Sequence, residues 1–379
     1  MLDDLQCAEG VASAPMGGRQ DEKMQKKSLC LVVCLLLYAG TVHSATHYIS
    51  PEGSGSVCSE SAPCAWSTAR STAGNGDKIV FLSGAYTGIQ FKTRVAGVSF
   101  EGHVKHGAVL RKSGTKRIWV ISHSNTTVRG LRMDGERTIG NTSILWLNGN
   151  TSNVVIEHNW LQGSLKGGIQ IGTTTKDADQ KQIIIRHNLI EDTGWGGPGE
   201  AIYVGSDRGV QAGATVSDVQ IYGNTLRRFT QQAVDLKPNS RNAQVHHNIM
   251  EGQLYRPNPN KPGVESTLVA RNRNHTIRDN IMRNLQDAGT AIIWVDETGG
   301  HRVHNNVTYN VKAMRYAIAG RGAGPGGTTS KIDRNTFCAL SSYDIEAGLY
   351  DVHDNPGIPG GAAQSLCTAE ETRILFEIS

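Results

Sequence analysis

The sequence is poor in charged and aromatic residues, and it contains no apolar run long enough to span a bilayer. Of 379 residues, 6% are aromatic and 19% are charged, against roughly 25% charged in an average protein. No collagen period, heptad pattern or disorder-type charge excess is present, which excludes fibrous, coiled-coil and disordered classes. The formal net charge of +4 comes without clustered basic residues and stacking aromatics, so we expect no nucleic-acid partner.

The first 44 residues have the features of a targeting segment. Residues 24–44 contain two lysines, an apolar run from Leu29 to Tyr38 and then small residues, which is the order of a signal peptide. Residues 1–23 lack apolar periodicity, and we interpret them as an over-extended start. The prediction is a secreted monomer, extracellular or periplasmic in a Gram-negative host, without membrane contact once the signal is cleaved.

Four cysteines follow this segment, an even number that suggests disulfides in a secreted chain. Their positions suggest one disulfide near each end of the mature chain, between Cys58 and Cys64 and between Cys338 and Cys367. The spacing of a zinc site is absent. If the host glycosylates, the acceptor asparagines of Asn-x-Ser/Thr are Asn125, Asn141, Asn150, Asn274 and Asn306.

Glycine is abundant, with 44 residues, and together with asparagine it marks an internal repeat. A phrase of alternating apolar residues, an Asn or Gly, and a further apolar residue recurs every 24 to 36 residues. Its markers are Gly102, Gly130, Asn159, Asn188, Asn224, Asn248, Asn280, Asn306 and Asn335. We expect these short side chains to adopt left-handed turns and to bond the coils above and below.

Each unit also holds a second short strand with period-2 alternation. Short β-branched strands bounded by turn residues predict an all-β, right-handed parallel β-helix of about nine to ten coils. Hairpin turns every 8–12 residues, expected of an antiparallel sandwich, are missing. The predicted organisation is an N-terminal cap over 45–75, the β-helix over 76–340 and a C-terminal cap over 341–379.

The second strands separate an interior face from an outer face, because alternate side chains point opposite ways. The predicted interior column is Ile169/Ile171, Ile202/Val204, Val234/Leu236, Leu268/Ala270, Ile293/Val295 and Ile318/Gly320. On the outer face, Lys237, Arg271, Asp296 and Arg321 form one predicted ladder, with Tyr203, Asp235 and Trp294 beside it and Arg273 near it. Guanidiniums bind carboxylates and aromatic rings pack on sugar faces, so this ladder predicts binding of an acidic polysaccharide.

Cleavage of a uronic-acid polymer by β-elimination would suit these residues. A base removes the C5 proton beside the carboxylate, and a cation neutralises that carboxylate. Lys237 is the candidate base, since the adjacent Arg271 should disfavour its protonated form, and Arg271 is the candidate charge-stabilising group.

The opening segment THYISPEGSGS…CAWSTARSTAGNGDKIVFLSGAYTG and the Asn ladder resemble secreted pectate-lyase-like β-helix proteins over about residues 46–340. The segment AVDLKPNSRNAQVHHN…TLVARNRNHTIRDN resembles the active-site coils of the chondroitinase B/alginate lyase family. That resemblance implies a base role for Lys237 and an acid or charge-stabilising role for Arg271. The family's calcium-binding acidic pair is replaced by Thr230 and Gln232. Calcium as a cofactor is therefore left open, with Glu200 and Asp235 as candidate ligands.

Three alternatives remain open. A polygalacturonase-type hydrolase needs paired carboxylates, for which Glu200, Asp235 and Asp296 are the candidates, but its signature motifs are missing. The DVHD sequence at 351–354 resembles an epimerase motif, although its position favours a cap loop. The third alternative is a non-catalytic, glycan-binding or adhesive β-helix.

Overall fold

The computed structural model describes the chain from Ser44 to Ile378, with gaps. Residues outside the description are 1–43, 113–115, 140–141, 174, 197–198, 207–212, 254–265, 286–290, 297–298, 312–315, 321–327, 339–349, 354–356, 359–362 and 379. The predicted over-extended start and signal peptide therefore lie outside the described residues.

Three parallel sheets wind into a β-solenoid of about nine turns, as the repeat predicts. Sheet 1 comprises β1 Thr46–Ile49, β2 Lys78–Phe81, β5 Ser99–Gly102, β8 Thr126–Arg129, β11 Ser152–Glu157, β14 Asp179–Arg186, β17 Thr215–Tyr222, β20 Ser240–Arg241, β21 Gln244–His246, β24 Thr276–Arg278, β27 Arg302–His304, β30 Ser330–Asp333 and β32 Tyr350–His353. Each strand pairs in parallel with the equivalent strand of the next turn, apart from β20, which lies beside β17.

The other two sheets complete each turn. Sheet 2 comprises β3 Gly84–Thr87, β6 Ala108–Arg111, β9 Arg132–Ile139, β12 Trp160–Ser164, β15 Leu189–Thr193, β18 Thr225–Phe229, β22 Ile249–Glu251, β25 Ile281–Leu285, β28 Val307–Val311, β31 Thr336–Cys338 and β33 Gly357–Ile358. Sheet 3 comprises β4 Phe91–Lys92, β7 Trp119–Ile121, β10 Leu145–Leu147, β13 Ile169–Ile171, β16 Ile202–Val204, β19 Val234–Leu236, β23 Ser266–Ala270, β26 Ala291–Val295 and β29 Tyr316–Gly320. The outer face of sheet 3 is the one for which binding is predicted.

The predicted interior column of sheet 3 is confirmed. Ile171, Val204, Leu236 and Ala270 are register partners of one another, and all are fully buried. Such strands alternate inward and outward side chains, so this register also determines which residues face outward.

Helices close both ends of the described fold. In α1 (Trp66–Thr72), the indole of Trp66 packs against a cluster of core rings, 4.9 Å from the ring of Phe91. In α2 (Ala363–Ile378), Ile374 packs on Ile281 and Val307. A cluster of aromatic rings thus helps to seal the first turns from solvent.

A ladder of buried asparagines runs through seven turns, as the repeat markers predict. Its members are Asn159, Asn188, Asn224, Asn248, Asn280, Asn306 and Asn335. In each step, the backbone N–H of one asparagine donates to the side-chain oxygen of the next at 2.9–3.1 Å. The side-chain NH₂ of Asn224 also donates to Ile185, Tyr222 and Asn248. Each amide therefore satisfies buried backbone groups of adjacent turns.

The left-handed conformation belongs to the residue before each ladder asparagine, which corrects the sequence interpretation. His158, His187 and His247 have φ values of 55°, 53° and 53°. Gly130 has φ 69° and aligns with His158, so Leu131 occupies the ladder position in that turn. The asparagine is selected for its hydrogen bonds, and its predecessor makes the turn.

The parallel strands extend beyond the predicted bounds of the β-helix. Strand β1 pairs with β2 before residue 76, and β32 pairs with β30 after residue 340. The segment Asp351–His353 is thus part of sheet 1 rather than of the predicted cap loop. Residue 354 lies outside the described residues.

One predicted disulfide is confirmed, between Cys58 and Cys64. Cys338 is also disulfide-bonded, while the side chain of its predicted partner Cys367 lies outside the description. Among the acceptor asparagines, Asn306 is completely buried within the ladder, so that prediction is wrong for the folded chain. In the described part of the chain, no helix has the length and apolar character needed to cross a membrane.

Candidate functional site

The candidate site lies on the outer face of sheet 3, where the register brings distant residues into one column. Trp146, Gln170, Tyr203 and Asp235 are successive register partners on β10, β13, β16 and β19. The column continues to Trp294 through Val269. Neighbouring positions are about 4.8 Å apart along the solenoid, so this column is a continuous track of side chains.

At the C-terminal end of these strands, Lys237 and Arg271 follow β19 and β23. The backbone N–H of Lys237 donates to Val204, and that of Arg271 donates to Leu236, which places both residues at the same position of successive turns. Asp235 lies between the two cations. Its Oδ2 is 2.9 Å from Lys237 Nζ, and its Oδ1 is 2.6 Å from Arg271 Nη1. One carboxylate therefore holds the predicted catalytic pair together.

The cluster is largely shielded from solvent. The side chains of Lys237 and Arg271 are 13% and 16% exposed, and that of Asp235 is 2% exposed. Ion pairs that lose most of their hydration are screened less than surface pairs. Two cations and one carboxylate leave this buried cluster with a net positive charge, which favours an anionic ligand.

The charge state of Lys237 differs from our expectation. Burial alone would lower its pKa, but the Asp235 carboxylate and Tyr203 outweigh burial and the opposing Arg271, so the pKa of Lys237 is raised. The Lys237 ammonium lies 5.0 Å from the centre of the Tyr203 ring. In the resting protein, Lys237 is therefore a cation rather than a neutral base.

Glu200 precedes β16 and is the second acidic residue near this cluster. Only 8% of its surface is exposed. Burial, together with the negative charge of Asp235, raises the pKa of the Glu200 carboxyl. Glu200 therefore tends to keep its proton while Asp235 is paired with two cations.

The remaining predicted residues are distributed around this cluster. Asp296 is buried and follows β26, where its N–H donates to Ala270, one turn beyond Arg271. Trp294 is partly exposed on the outer face, and its indole nitrogen has no hydrogen-bond acceptor among the described residues. Arg273 is exposed and lies beyond the end of β23, where its backbone bridges Arg241 and Gly299 of the neighbouring turns. Arg321 lies outside the described residues.

Four further residues near the track were missed from the sequence. His275 and His301 are buried and support the backbone of Arg271 and Asp296. Their signal was present, because the repeat phrases HTIRDNIM and HRVHNNVT both begin with histidine. Trp146 and Arg117 lie upstream of the strands that we aligned, although SILWLNG alternates in the same way.

The calcium site of the resembling family has no counterpart among the described residues. Thr230 is buried and donates its hydroxyl proton to the Gly194 carbonyl, and Gln232 supplies no charge. Both oxygens of Asp235 are held by cations. No group of three His, Cys, Asp or Glu side chains able to hold a metal occurs within the described ranges. Calcium prefers six to eight oxygen ligands, so these residues do not fit a calcium ion.

Comparisons with known proteins agree with the fold. No protein-family model matches the sequence, and no curated protein matches it significantly. An alginate lyase from Paenibacillus sp. str. FPU-7 superposes with a TM-score of 0.64 at 19% identity, covering 82% of this chain and 99% of that one. A GH136 lacto-N-biosidase from Eubacterium ramulus gives 0.60 at 12% identity, covering 90% and 68%. The pectate lyase Pel9A gives 0.58 at 12% identity, covering 85% and 83%.

At these identities the likeness establishes the architecture, which is the pectate-lyase-like parallel β-helix that the sequence resemblance implied. Chemistry must be argued from the side chains of the site.

Proposed function

We propose that this protein is a secreted polysaccharide lyase that cleaves a uronic-acid-containing polysaccharide by β-elimination. The observation that carries the proposal is the Lys237–Asp235–Arg271 cluster on two successive turns of sheet 3. Solved structures with the same fold include lyases named for alginate and pectate. The disulfide between Cys58 and Cys64 supports an extracellular location.

The two cations would neutralise the uronate carboxylate. Proton removal from C5 develops negative charge that spreads onto this carboxylate, and preorganised cations stabilise that state more than the resting substrate. Arg271 can present a planar guanidinium to a carboxylate, and Lys237 a compact ammonium. Asp235 fixes both groups before substrate arrives.

Tyr203 is our candidate for the group that accepts the C5 proton. Lys237 was the predicted base, but its raised pKa keeps it protonated in the resting protein. The Lys237 ammonium lies 5.0 Å from the centre of the Tyr203 ring, so this phenol stands beside the two cations. In this scheme the C5–H bond breaks, its electron pair forms the C4–C5 double bond, and the C4–O bond breaks. Lys237 would return a proton to the departing oxygen in this scheme.

The cluster favours elimination over hydrolysis. A hydrolase needs one carboxyl group as acid and a second as base or nucleophile. Glu200 and Asp235 are the nearest pair, but Asp235 is 2% exposed and binds two cations with its two oxygens. It is therefore poorly available to activate water or to attack a sugar.

The test is incubation with alginate, dermatan, pectate and glucuronan, read at the ultraviolet absorbance of unsaturated uronates. We expect absorbance to rise on at least one polymer. Lys237→Ala, Arg271→Ala and Tyr203→Phe should each lower the rate by about 10²-fold or more. Lys181→Ala is the control, because Lys181 forms a Lys–Asp pair with Asp179 that has the same sequence spacing but is exposed on sheet 1.

Other outcomes separate the alternatives. No absorbance on any of the four polymers would refute the lyase proposal. New reducing ends without absorbance indicate hydrolysis, and proton exchange at C5 without cleavage indicates an epimerase. Binding without turnover, unaffected by these variants, indicates an adhesive protein. If Tyr203→Phe stays active while Lys237→Ala does not, Lys237 is the base.

A further inference from the structure

Among the described residues, three arginines stack on tryptophan rings, and one of them differs from the other two. Arg132 lies 4.0 Å from the ring centre of Trp160 and 3.5 Å from an Asp134 oxygen. Similarly, Arg137 stacks on a tryptophan, at 3.8 Å, and has a carboxylate 3.9 Å away. Both of these arginines therefore have an anionic neighbour of their own.

Arg117 forms the third stack, 4.1 Å from the ring centre of Trp146, and has no carboxylate partner in the described part of the chain. Its Nε is buried and has no hydrogen-bond acceptor among the described residues. Burial lowers the pKa of this guanidinium. A half-buried cation without a counter-charge destabilises the protein unless a bound anion neutralises it.

The stack lies on the same track as the candidate catalytic cluster. Trp146 is three register steps from Asp235 on the outer face of sheet 3. At about 4.8 Å per step, the separation is roughly 14 Å along the solenoid. A polysaccharide chain bound along this face at Lys237 would therefore extend over Trp146.

The stack is held rigidly. The indole N–H of Trp146 donates to the Gly172 carbonyl at 2.7 Å. The side-chain oxygen of Gln170 accepts hydrogen bonds from Arg117 at 3.1 Å and from Ser143 at 3.2 Å. Groups fixed in advance lose little conformational entropy when a ligand binds.

We propose that Trp146 and Arg117 form a subsite for a second uronate residue of the same polysaccharide chain, with the sugar against the aromatic stack and its carboxylate on Arg117. This subsite rests on the proposed function for its substrate class. It makes recognition depend on two separated carboxylates, so the preferred ligand is a run of uronates rather than an isolated one.

Affinity electrophoresis through gels containing alginate, pectate or glucuronan tests this subsite without requiring turnover. Proteins are compared in the wild-type and Lys237→Ala backgrounds, so that cleavage during the run does not confuse the result. Trp146→Ala and Arg117→Gln should each weaken retardation by the polymer that binds wild type, by about tenfold or more. Trp160→Ala, which disrupts an Arg–Trp stack on sheet 2, should leave retardation unchanged. Carboxyl-reduced polymer should bind weakly and should not distinguish Arg117→Gln from wild type.

Unchanged retardation in Trp146→Ala and Arg117→Gln would overturn the subsite, as would an equal loss in Trp160→Ala. Failure of wild type to bind any of the three polymers would also overturn it. Circular dichroism and melting temperature identify variants that fail to fold, for which Trp146→Phe is the substitute. If wild type binds without cleaving and both the Trp146→Ala and Arg117→Gln variants bind more weakly, the subsite stands and the lyase proposal fails. If wild type cleaves and the Trp146 and Arg117 variants bind normally, the lyase proposal stands and the subsite is overturned.

Discussion

The imidazole of His275 donates a hydrogen bond from Nε2 to the backbone carbonyl oxygen of Arg271, at 2.7 Å. Its Nδ1 accepts the N–H of Ala243 at 3.0 Å, which fixes the tautomer. His301 repeats the arrangement one turn on, where Nδ1 accepts from His275 N–H at 3.3 Å and Nε2 faces the Asp296 carbonyl at 3.3 Å. These neutral histidines form a second ladder beneath the candidate site.

Acid should destabilise the fold through these two histidines. Burial, with the neighbouring imidazole, lowers the pKa of His275 to about 3, and burial lowers that of His301 to about 4. An unfolded histidine titrates near 6.5. Below that pH, these two histidines are protonated in the unfolded chain but remain neutral in the folded chain. Their contribution to the free energy of unfolding is complete above pH 6.5 and is lost as pH falls through the folded pKa, about 4 for His301 and about 3 for His275. The loss at pH 5 is about 2 kcal/mol for each histidine.

Melting temperature measured from pH 8 to pH 4 checks this prediction. His275→Asn should flatten the decline between pH 6.5 and pH 4, because asparagine does not titrate. His103 lies on the surface and is about half exposed, so His103→Asn should leave the slope unchanged. A slope that is the same in His275→Asn and wild type would contradict the proposed linkage.

The register of sheet 3 could be predicted from the sequence because alternation alone determines it. Once Ile171, Val204 and Leu236 are aligned as interior residues, Tyr203 and Asp235 must face outward in one column. A shift of this alignment by one residue would move every apolar side chain to the surface. Because the pattern repeats over several turns, such a shift is easily recognised.

The electrostatics of the site could not be predicted in the same way. The sequence placed Arg271 beside Lys237, and this neighbour alone would lower the lysine pKa. The side chain of Asp235 instead reaches both cations and reverses the shift. Such rotamer choices depend on the surroundings of the side chain, and the neighbouring loops lack a repeat in the sequence.

Replacing a ladder asparagine should destabilise the protein more in the middle of the ladder than at its end. Asn224 accepts from Asn188 and donates to groups on both adjacent turns, so Asn224→Ala leaves several buried groups unsatisfied. We expect a loss of about 3 kcal/mol or more in the free energy of unfolding. Asn159 adjoins Leu131, where the ladder ends, so Asn159→Ala should cost less. Urea denaturation of both variants measures the difference, and equal losses would contradict a cooperative ladder.

Asp235→Asn should shift the alkaline limit of lyase activity to lower pH. Asp235 raises the pKa of Lys237, so its removal lets the ammonium lose its proton more readily. Because the proposed mechanism uses Lys237 as a cation, kcat/KM should decline at a lower pH than in wild type. The measurement is the pH profile of kcat/KM on the polymer that wild type cleaves.

Asp179→Asn provides the matched control, since Asp179 raises the pKa of Lys181 on sheet 1, away from the track. Its pH profile should match wild type. An increase in kcat/KM at neutral pH in Asp235→Asn would show that Lys237 acts in its neutral form, as the base that the sequence resemblance implied.

Glu200→Gln should stabilise the folded protein at neutral pH. Burial and the charge of Asp235 raise the pKa of Glu200 above its ordinary 4.5, so the folded chain holds a proton that the unfolded chain releases. The contribution of Glu200 to the free energy of unfolding is complete below pH 4.5 and is lost as pH rises through the folded pKa. Glutamine keeps the neutral shape at all pH values, so the variant should be more stable than wild type at pH 8 and about equally stable at pH 4. Melting temperatures at both values measure the gain, with the exposed Glu52→Gln as control. A destabilised Glu200→Gln at pH 8 would instead indicate that the ionised carboxylate is required.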